Sequence, residues 1–352
     1  MDVLIVGPSI KRSKGGMGTV ISEHLTSSSI NKHNKLSYLI SHVDGNVFEK
    51  ILYSIRSLIY ILVNNHRYEI IHFHVGCDAS FYRKSVLLRL SKWLNKKTIV
   101  HIHGHDFDSF YLNNKSILKK YIKNSLYKSD KTIVLSDHWK RFFEREFPKL
   151  QIEILHNGID VEAYEPCIRK PTHFNNYLFL GRLGERKGIY DLIKAIDIIV
   201  NLYGRKEFRF YLAGDGDIDK VQIIVNEAHL ADNVKILGWL KSDEKKEILK
   251  IVETIVLPSY EENLPMALIE AMACGKVVIS TYAGGIPDLV RPDFNGYLFN
   301  AGDIDKLVKY ILFVNENPAK MLSICQNNIS TIKEKFNIDI LSLKLNSIYG
   351  SI

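Results

Sequence analysis

Residues 254–274 read TIVLPSYEENLPMALIEAMAC. Thr254–Leu257 is a short β-branched and apolar run, the composition of a buried strand. Pro258 and Ser259 end it, and Tyr260–Leu264 is a polar loop carrying Glu262 and Asn263. From Pro265 the pattern turns helical, with proline at the first helical position and Met266 to Ala273 behind it. Strand, loop and helix in this order aim the helix N-terminus at the loop. Free N–H groups and the macrodipole make that end a site for an anion such as phosphate. Glu262 in the loop and Glu270, more than a turn into the helix, bracket the site. A carboxylate there accepts hydrogen bonds from hydroxyls, as on a sugar or a ribose.

Working outward, three further Gly-rich turns follow apolar strand patterns. They are Gly181-Arg182-Leu183 with Lys187-Gly188, then Ala213-Gly214-Asp215-Gly216, then Gly284-Gly285-Ile286-Pro287-Asp288. Arg182 and Lys187 flank a turn before a helix, and a forked guanidinium with a point ammonium suits two phosphates. In this order, with seven residues between Glu262 and Glu270, the motifs resemble the retaining glycosyltransferases of the GT-B fold, family 4. Asn263 stands where many members of that family have Gly.

The whole chain fits that resemblance. Its 352 residues suit two ordinary domains. Strands alternating with helices predict an α/β protein with parallel doubly wound sheets. The resemblance implies the GT-B arrangement, two Rossmann-like domains facing a deep cleft. Residues 1–164 are expected as the acceptor-binding domain, with a linker over Val161–His173. Residues 165–334 are expected as the nucleotide-sugar domain, and 335–352 as a helix crossing back to the first. The four cysteines are scattered with no C-x-x-C pair, which fits a reducing cytoplasm rather than a disulfide framework. The start has neither the length nor the charge of a signal peptide, and the longest apolar run, Ile51 to Val63, is too short to span a bilayer. Residues 1–160 hold 24 basic and 14 acidic residues, against 23 and 25 in the rest. A basic half fits an anionic membrane surface or nucleic acid, but no helix-turn-helix, RRM or KH signature is present.

In that basic half, Val3–Val6 reads as a strand followed by a Gly-rich turn ending Gly15-Gly16-Met17-Gly18, without the pattern of a P-loop. Phe48–Asn64 reads as a helix. Arg83–Lys97 and Lys115–Lys128 are basic and amphipathic, fit either for anionic lipid or for ordinary packing on a core. Thr98–Ile102 is a buried strand whose carboxyl end carries His101, His103 and His105, with His101 and His103 on one face by alternation. An earlier strand ends in His72-Phe73-His74. No further ligand stands at a zinc spacing, so no metal site is predicted.

The resemblance implies sugar transfer from a nucleotide diphosphate, probed by the following roles. His103, Glu262, Arg182 and Lys187 are the expected catalytic groups. Gly16, Arg182, Lys187, Glu262, Asn263, Leu264, Pro265, Met266 and Glu270 are expected at the donor, and Gly15, His74 and His105 at the acceptor. The expected donor is a UDP-sugar, and the acceptor a glycan or lipid-linked hydroxyl. No metal, cofactor or nucleic acid is expected, and peripheral contact with the inner membrane face is. A nucleotide-sugar epimerase of the same architecture is the alternative enzyme, needing no acceptor.

Overall fold

The computed structural model describes residues 1–13 and 15–352. The chain divides into two compact units, one of residues 1–159 with 336–352 and one of residues 160–335. In the first, the elements run β1 (Asp2–Pro8), α1 (Gly16–Thr26), α2 (Ser28–Asn31), β2 (Lys35–His42), α3 (Val47–Asn64), β3 (Ile70–Val75), α4 (Asp78–Trp93), β4 (Lys97–Ile102), α5 (Phe107–Leu112), α6 (Ser116–Leu126), β5 (Lys131–Val134), α7 (Asp137–Glu146) and β6 (Ile152–Ile154). The second runs β7 (Asn176–Leu180), α8 (Ile189–Asp197), β8 (Arg209–Ala213), α9 (Ile218–Glu227), β9 (Val234–Gly238), α10 (Ser242–Ile251), β10 (Thr254–Leu257), α11 (Met266–Ala273), β11 (Val277–Thr281), α12 (Ile286–Leu289), β12 (Tyr297–Phe299), α13 (Ile304–Glu316) and α14 (Pro318–Lys335). The chain ends in α15 (Ile338–Gly350), which belongs to the first unit.

Each unit is built on one six-stranded parallel sheet, of order β2-β1-β3-β4-β5-β6 and β12-β11-β10-β7-β8-β9. Parallel strands are covered by helices on both faces, so their residues are apolar without alternation. Ile70–Val75 is buried throughout, as are Thr254–Leu257 and Val277–Thr281. In both sheets the first strand lies inside the order, so the direction of winding reverses beside it. The reversal falls between β1 and β3 in one unit and between β7 and β10 in the other. Ligands of open α/β sheets bind outside the carboxyl ends of strands at such a point.

Several predicted boundaries move. Pro265 is the N-cap of α11 and Met266 its first residue, because Pro265 keeps an extended backbone. Over the predicted linker, Glu162–Cys167 forms a 3-10 turn with Tyr164 and Cys167 buried in the second unit. The helix expected after the Arg182–Lys187 turn is α-helical only to Asp197 and continues as a π-helical turn over Ile198–Leu202. Ser136 caps α7, accepting from the Trp139 amide.

The first unit has a core on each sheet face. Phe73, Val100, Phe107, Trp139 and Phe143 centre one. On the other, Val3, Ile70, Ile99 and Ile133 meet Leu341, Leu345 and Tyr349 of α15. Tyr349 is fully buried, and its hydroxyl lies 2.8 Å from Nδ1 of His72. Replacing Tyr349 by Phe strands that imidazole nitrogen without water. The expected cost is about 1–3 kcal/mol, measured as lost unfolding free energy in denaturant. An unchanged midpoint contradicts the assignment.

Candidate donor site and histidine stack

At the reversal point of the second sheet, β7 runs into Gly181–Gly184 and a 3-10 turn over Glu185–Lys187, while β10 runs into the loop 258–265. Two glycines bring these loops together. Gly188 has a left-handed backbone (φ 72°), and a Cβ there would stand 2.0 Å from the Pro258 carbonyl oxygen. Gly284 (φ 53°) sits as closely on the carbonyl of Glu262, and the Gly285 amide donates to the Asn263 carbonyl at 2.8 Å. Any side chain at either position collides with backbone, which has no rotamer to escape into. Hydroxyls of Ser280 and Thr281 donate to the carbonyls of Leu257 and Ser259, both at 2.6 Å, and pin the start of the loop.

Glu262 is thereby buried with its carboxylate on the ammonium of Lys187, and it also accepts from the Ser259 hydroxyl at 3.0 Å. The sequence predicts both residues at the site; their direct pairing is new. Arg182 is exposed and has no ion pair or hydrogen bond among the described residues. Arg186 instead braces the loop, donating to the Glu261 carbonyl at 3.1 Å. Asn263, Leu264 and Met266 are buried at the start of α11. Asn263 has no left-handed backbone, so the position demands no glycine.

Glu270, one turn into α11, is also buried, and Lys245 of α10 meets it at 2.6 Å. Lys245 was not among the predicted site residues. The available signal was its position: with Ile248, Leu249 and Val252 it occupies the inward stripe of α10, where a lysine needs a partner. Replacing Lys245 by Met leaves a buried carboxylate uncompensated and is expected to cost about 3 kcal/mol of stability. Adding Glu270→Gln should recover part of that loss, a non-additivity read by a double-mutant cycle. Additive losses contradict the pairing.

The first unit holds a cluster of histidines. Strands β3 and β4 pair in register with His74 opposite His101, so alternation brings His72, His74, His101 and His103 to one face under α1 and α15. His74 and His103 are joined by a 2.9 Å hydrogen bond between Nδ1 and Nε2. The sequence places His74 at the acceptor; it is instead fully buried and supports His103 from below. His105 is half-buried with Nδ1 3.3 Å from Asp106, and Gly15 caps α1 in open space, followed by Gly16.

Ligand atoms of His72, His74 and His101 lie within 4.8 Å of one another. A metal must lie in the plane of every imidazole it binds, at about 2.0–2.1 Å. These rings stack instead, with centroids 4.6–5.4 Å apart and interplanar angles of 23°, 14° and 36°. Two of the three pairs are stacked and the third is tilted.

Burial holds these imidazoles neutral. It pushes His24 down to about 4 and His103 to about 3, and takes His72, His74 and His101 well below the ordinary range, with the neighbouring rings adding to it. The unfolded chain therefore binds more protons than the folded one below pH 6.5. Stability falls with pH from there, by about 1.4 kcal/mol per pH unit for each imidazole still neutral in the fold. Unfolding free energy measured from pH 7 to pH 4 should show this slope, and His101→Thr should make it shallower. A flat profile contradicts the buried stack.

Comparison with known proteins adds to the geometry. The model of the group 1 glycosyl transferases matches residues 160–331, and that of glycosyltransferase family 4 matches residues 29–163. A relative named UDP-Gal:alpha-D-GlcNAc-diphosphoundecaprenol alpha-1,3-galactosyltransferase, from Escherichia coli, is 26% identical over 308 residues, 82% of this chain and 77% of its own. The amylovoran biosynthesis glycosyltransferase AmsK of Erwinia amylovora is 26% identical over 276 residues, 75% and 65% of the two chains. Among solved structures, sucrose-phosphate synthase from Thermosynechococcus elongatus superposes with a TM-score of 0.80 at 18% identity, covering 100% of this chain and 99% of its own. Anabaena HepE in complex with UDP-glucose gives 0.79 at 16% identity over all of both chains. These two show the same GT-B fold.

Proposed function

The chain belongs to the group 1, family 4 glycosyltransferases, and we propose that it moves a sugar from a uridine-diphosphate donor to a hydroxyl of a lipid-linked or surface-polysaccharide acceptor, with anomeric configuration retained. The observation that carries this reading is the donor half-site at the reversal point of the second sheet. There Arg182, Lys187 and the N-terminus of α11 supply positive charge, and two buried carboxylates supply hydroxyl acceptors. The relatives support the substrate class. One is named for UDP-galactose and a diphosphoundecaprenol acceptor, the other for amylovoran synthesis.

In this reading the bond between the anomeric carbon and the β-phosphate oxygen breaks, and the acceptor oxygen bonds to the same face of that carbon. The acceptor proton passes to the departing phosphate oxygen, giving UDP and a new glycoside. Negative charge grows on the β-phosphate as it leaves. Arg182, exposed and without an ion pair among the described residues, receives it in this reading, and Lys187 exchanges from Glu262 to the phosphate. Glu262 is then released to sugar hydroxyls and to positive character at the anomeric carbon. Glu270, oriented by Lys245, takes the ribose hydroxyls. Backbone N–H groups at Leu264–Met266 face the diphosphate, and in the first unit His74 fixes the ring of His103. The two cations supply the charge that a metal gives elsewhere, so the reaction is read as metal-free. Among the described residues no helix is long and apolar enough to cross a membrane. We assign the enzyme to the cytoplasm, peripheral at the inner membrane face, where nucleotide sugars and lipid-linked acceptors meet.

Thermal unfolding with UDP, GDP and ADP tests the donor site. UDP at 100 times its Kd should add about 2.7 kcal/mol to wild type and nothing at that concentration to Glu270→Ala. Arg182→Ala should lower kcat by about 10²–10³. Stabilisation by none of the three nucleotides, or equal stabilisation of the Glu270 variant, overturns the assignment.

A further inference from the structure

Alternation gives one face of the first sheet Ile70, His72 and His74 from β3, and Ile99, His101 and His103 from β4. The isoleucines pack into the core shared with α15. The imidazoles bring polar nitrogens into the same interior, and the packing leaves many of them unsatisfied. Nε2 of His72, Nε2 of His74 and both nitrogens of His101 are buried without a hydrogen-bond partner among the described residues, and so is Nδ1 of His24 from α1. Buried polar atoms are nearly always bonded, so a concentration of bare nitrogens in one place calls for a ligand.

The nitrogens that are satisfied indicate which ligand. Nδ1 of His72 lies 2.8 Å from the Tyr349 hydroxyl, and Nδ1 of His74 lies 2.9 Å from Nε2 of His103. Each ring is thus held by one nitrogen and keeps Nε2 unbonded. Metal-ligating histidines are fixed in this way, the second nitrogen bonded to a group outside the coordination shell. One ligand atom from each of His72, His74 and His101 already lies within 4.8 Å of the others. Nitrogens at 2.0–2.1 Å from a tetrahedral ion stand about 3.4 Å apart, so closing on an ion takes shifts of about 1 Å. Rotation about Cβ–Cγ, a broad torsion in histidine, supplies them. Stacked planes do not prevent this, because an imidazole turns about its own metal–nitrogen bond and the nitrogen positions decide. The ring of His24 lies over the same group, with centroids 5.7 Å from His74, 6.2 Å from His101 and 6.4 Å from His72.

We propose that His72, His74 and His101 bind a divalent transition-metal ion, with His24 closing the fourth position. The donor set selects the class. It holds no carboxylate or thiol, which disfavours magnesium and calcium, and imidazoles suit zinc, copper or nickel. A closed tetrahedral set of four fits structural zinc. The ion is a staple of the first unit, and no step of the transfer passes through it. It joins β3, β4 and α1 directly, α15 through Tyr349 on His72, and His103 through His74. Binding then adds to the stability of the fold.

Metal analysis of the full chain, with Zn²⁺ and Co²⁺ titrated into chelator-treated protein, tests the proposal. Wild type should carry about one zinc per chain, and Co²⁺ should give the visible absorption of a tetrahedral nitrogen site. Zn²⁺ should raise the thermal midpoint, and Mg²⁺ should leave it unchanged. His101→Asn should abolish the cobalt spectrum. Tyr349→Phe keeps all four ligands and should weaken zinc about tenfold, read by competition with a chromophoric chelator. It keeps the test open if His101→Asn does not fold. Removing the exposed His33 and His66 by substitution with alanine should leave zinc binding intact. Wild type without bound metal or a cobalt spectrum overturns the site, and the bare nitrogens are then met by water. So does zinc binding that Tyr349→Phe leaves unchanged, or that is lost with His33 and His66. UDP binding is measured alongside and stands or falls separately.

Discussion

Two carboxylates sit where water does not reach them, and the second unit is arranged around that constraint. Glu262 and Glu270 are both buried, on either side of the start of one short helix. Each is met by a lysine from another element, Lys187 from the turn after β7 and Lys245 from α10. A buried carboxylate stripped of its partner costs more than most single contacts are worth, so the positions of three loops are tied to these two pairs. The close approaches at Gly188 and Gly284 follow from the same need. They let the loops after β7 and β11 touch the backbone around Glu262 with no side chain between.

The pairs also give the resting site a definite chemistry. Lys187 occupies the carboxylate that a sugar is proposed to use, and Arg182 is exposed, with no ion pair among the described residues. A diphosphate arriving at Arg182 competes with Glu262 for Lys187, so one exchange frees the carboxylate and places the cation. Lys245 and Glu270 have no such competitor in this reading and act as a fixed acceptor for the ribose. In the first unit the equivalent rigidity comes from stacked neutral rings, with His74 holding His103 and Tyr349 of the last helix holding His72.

Much of this was legible in the sequence, where local rules decide. Apolar runs ending in Gly-rich turns gave two parallel sheets, and strand alternation put His101 and His103 on one face, where their centroids lie 4.3 Å apart. Glu262, Lys187 and Arg182 stand at turns whose chemistry is written in a few adjacent residues. What escaped depends on neighbours distant in the chain. Lys245 is 25 residues from its partner, and only its place on an apolar stripe hints at burial. The stack of His72 and His74 on His101 needs the register of β3 against β4, which no periodicity supplies. Periodicity likewise finds an apolar stripe on α3 but not its direction; Ser57 and Ile61 turn inward, while Ile51, Ile55 and Ile59 face outward.

The most direct measurement is a crystal structure with an intact, non-transferable UDP-sugar bound. The account predicts Lys187 on a β-phosphate oxygen with Arg182, Glu262 on sugar hydroxyls, and Glu270 on the ribose with Lys245 still beside it. A donor bound with Lys187 still on Glu262, and the ribose away from Glu270, would contradict it.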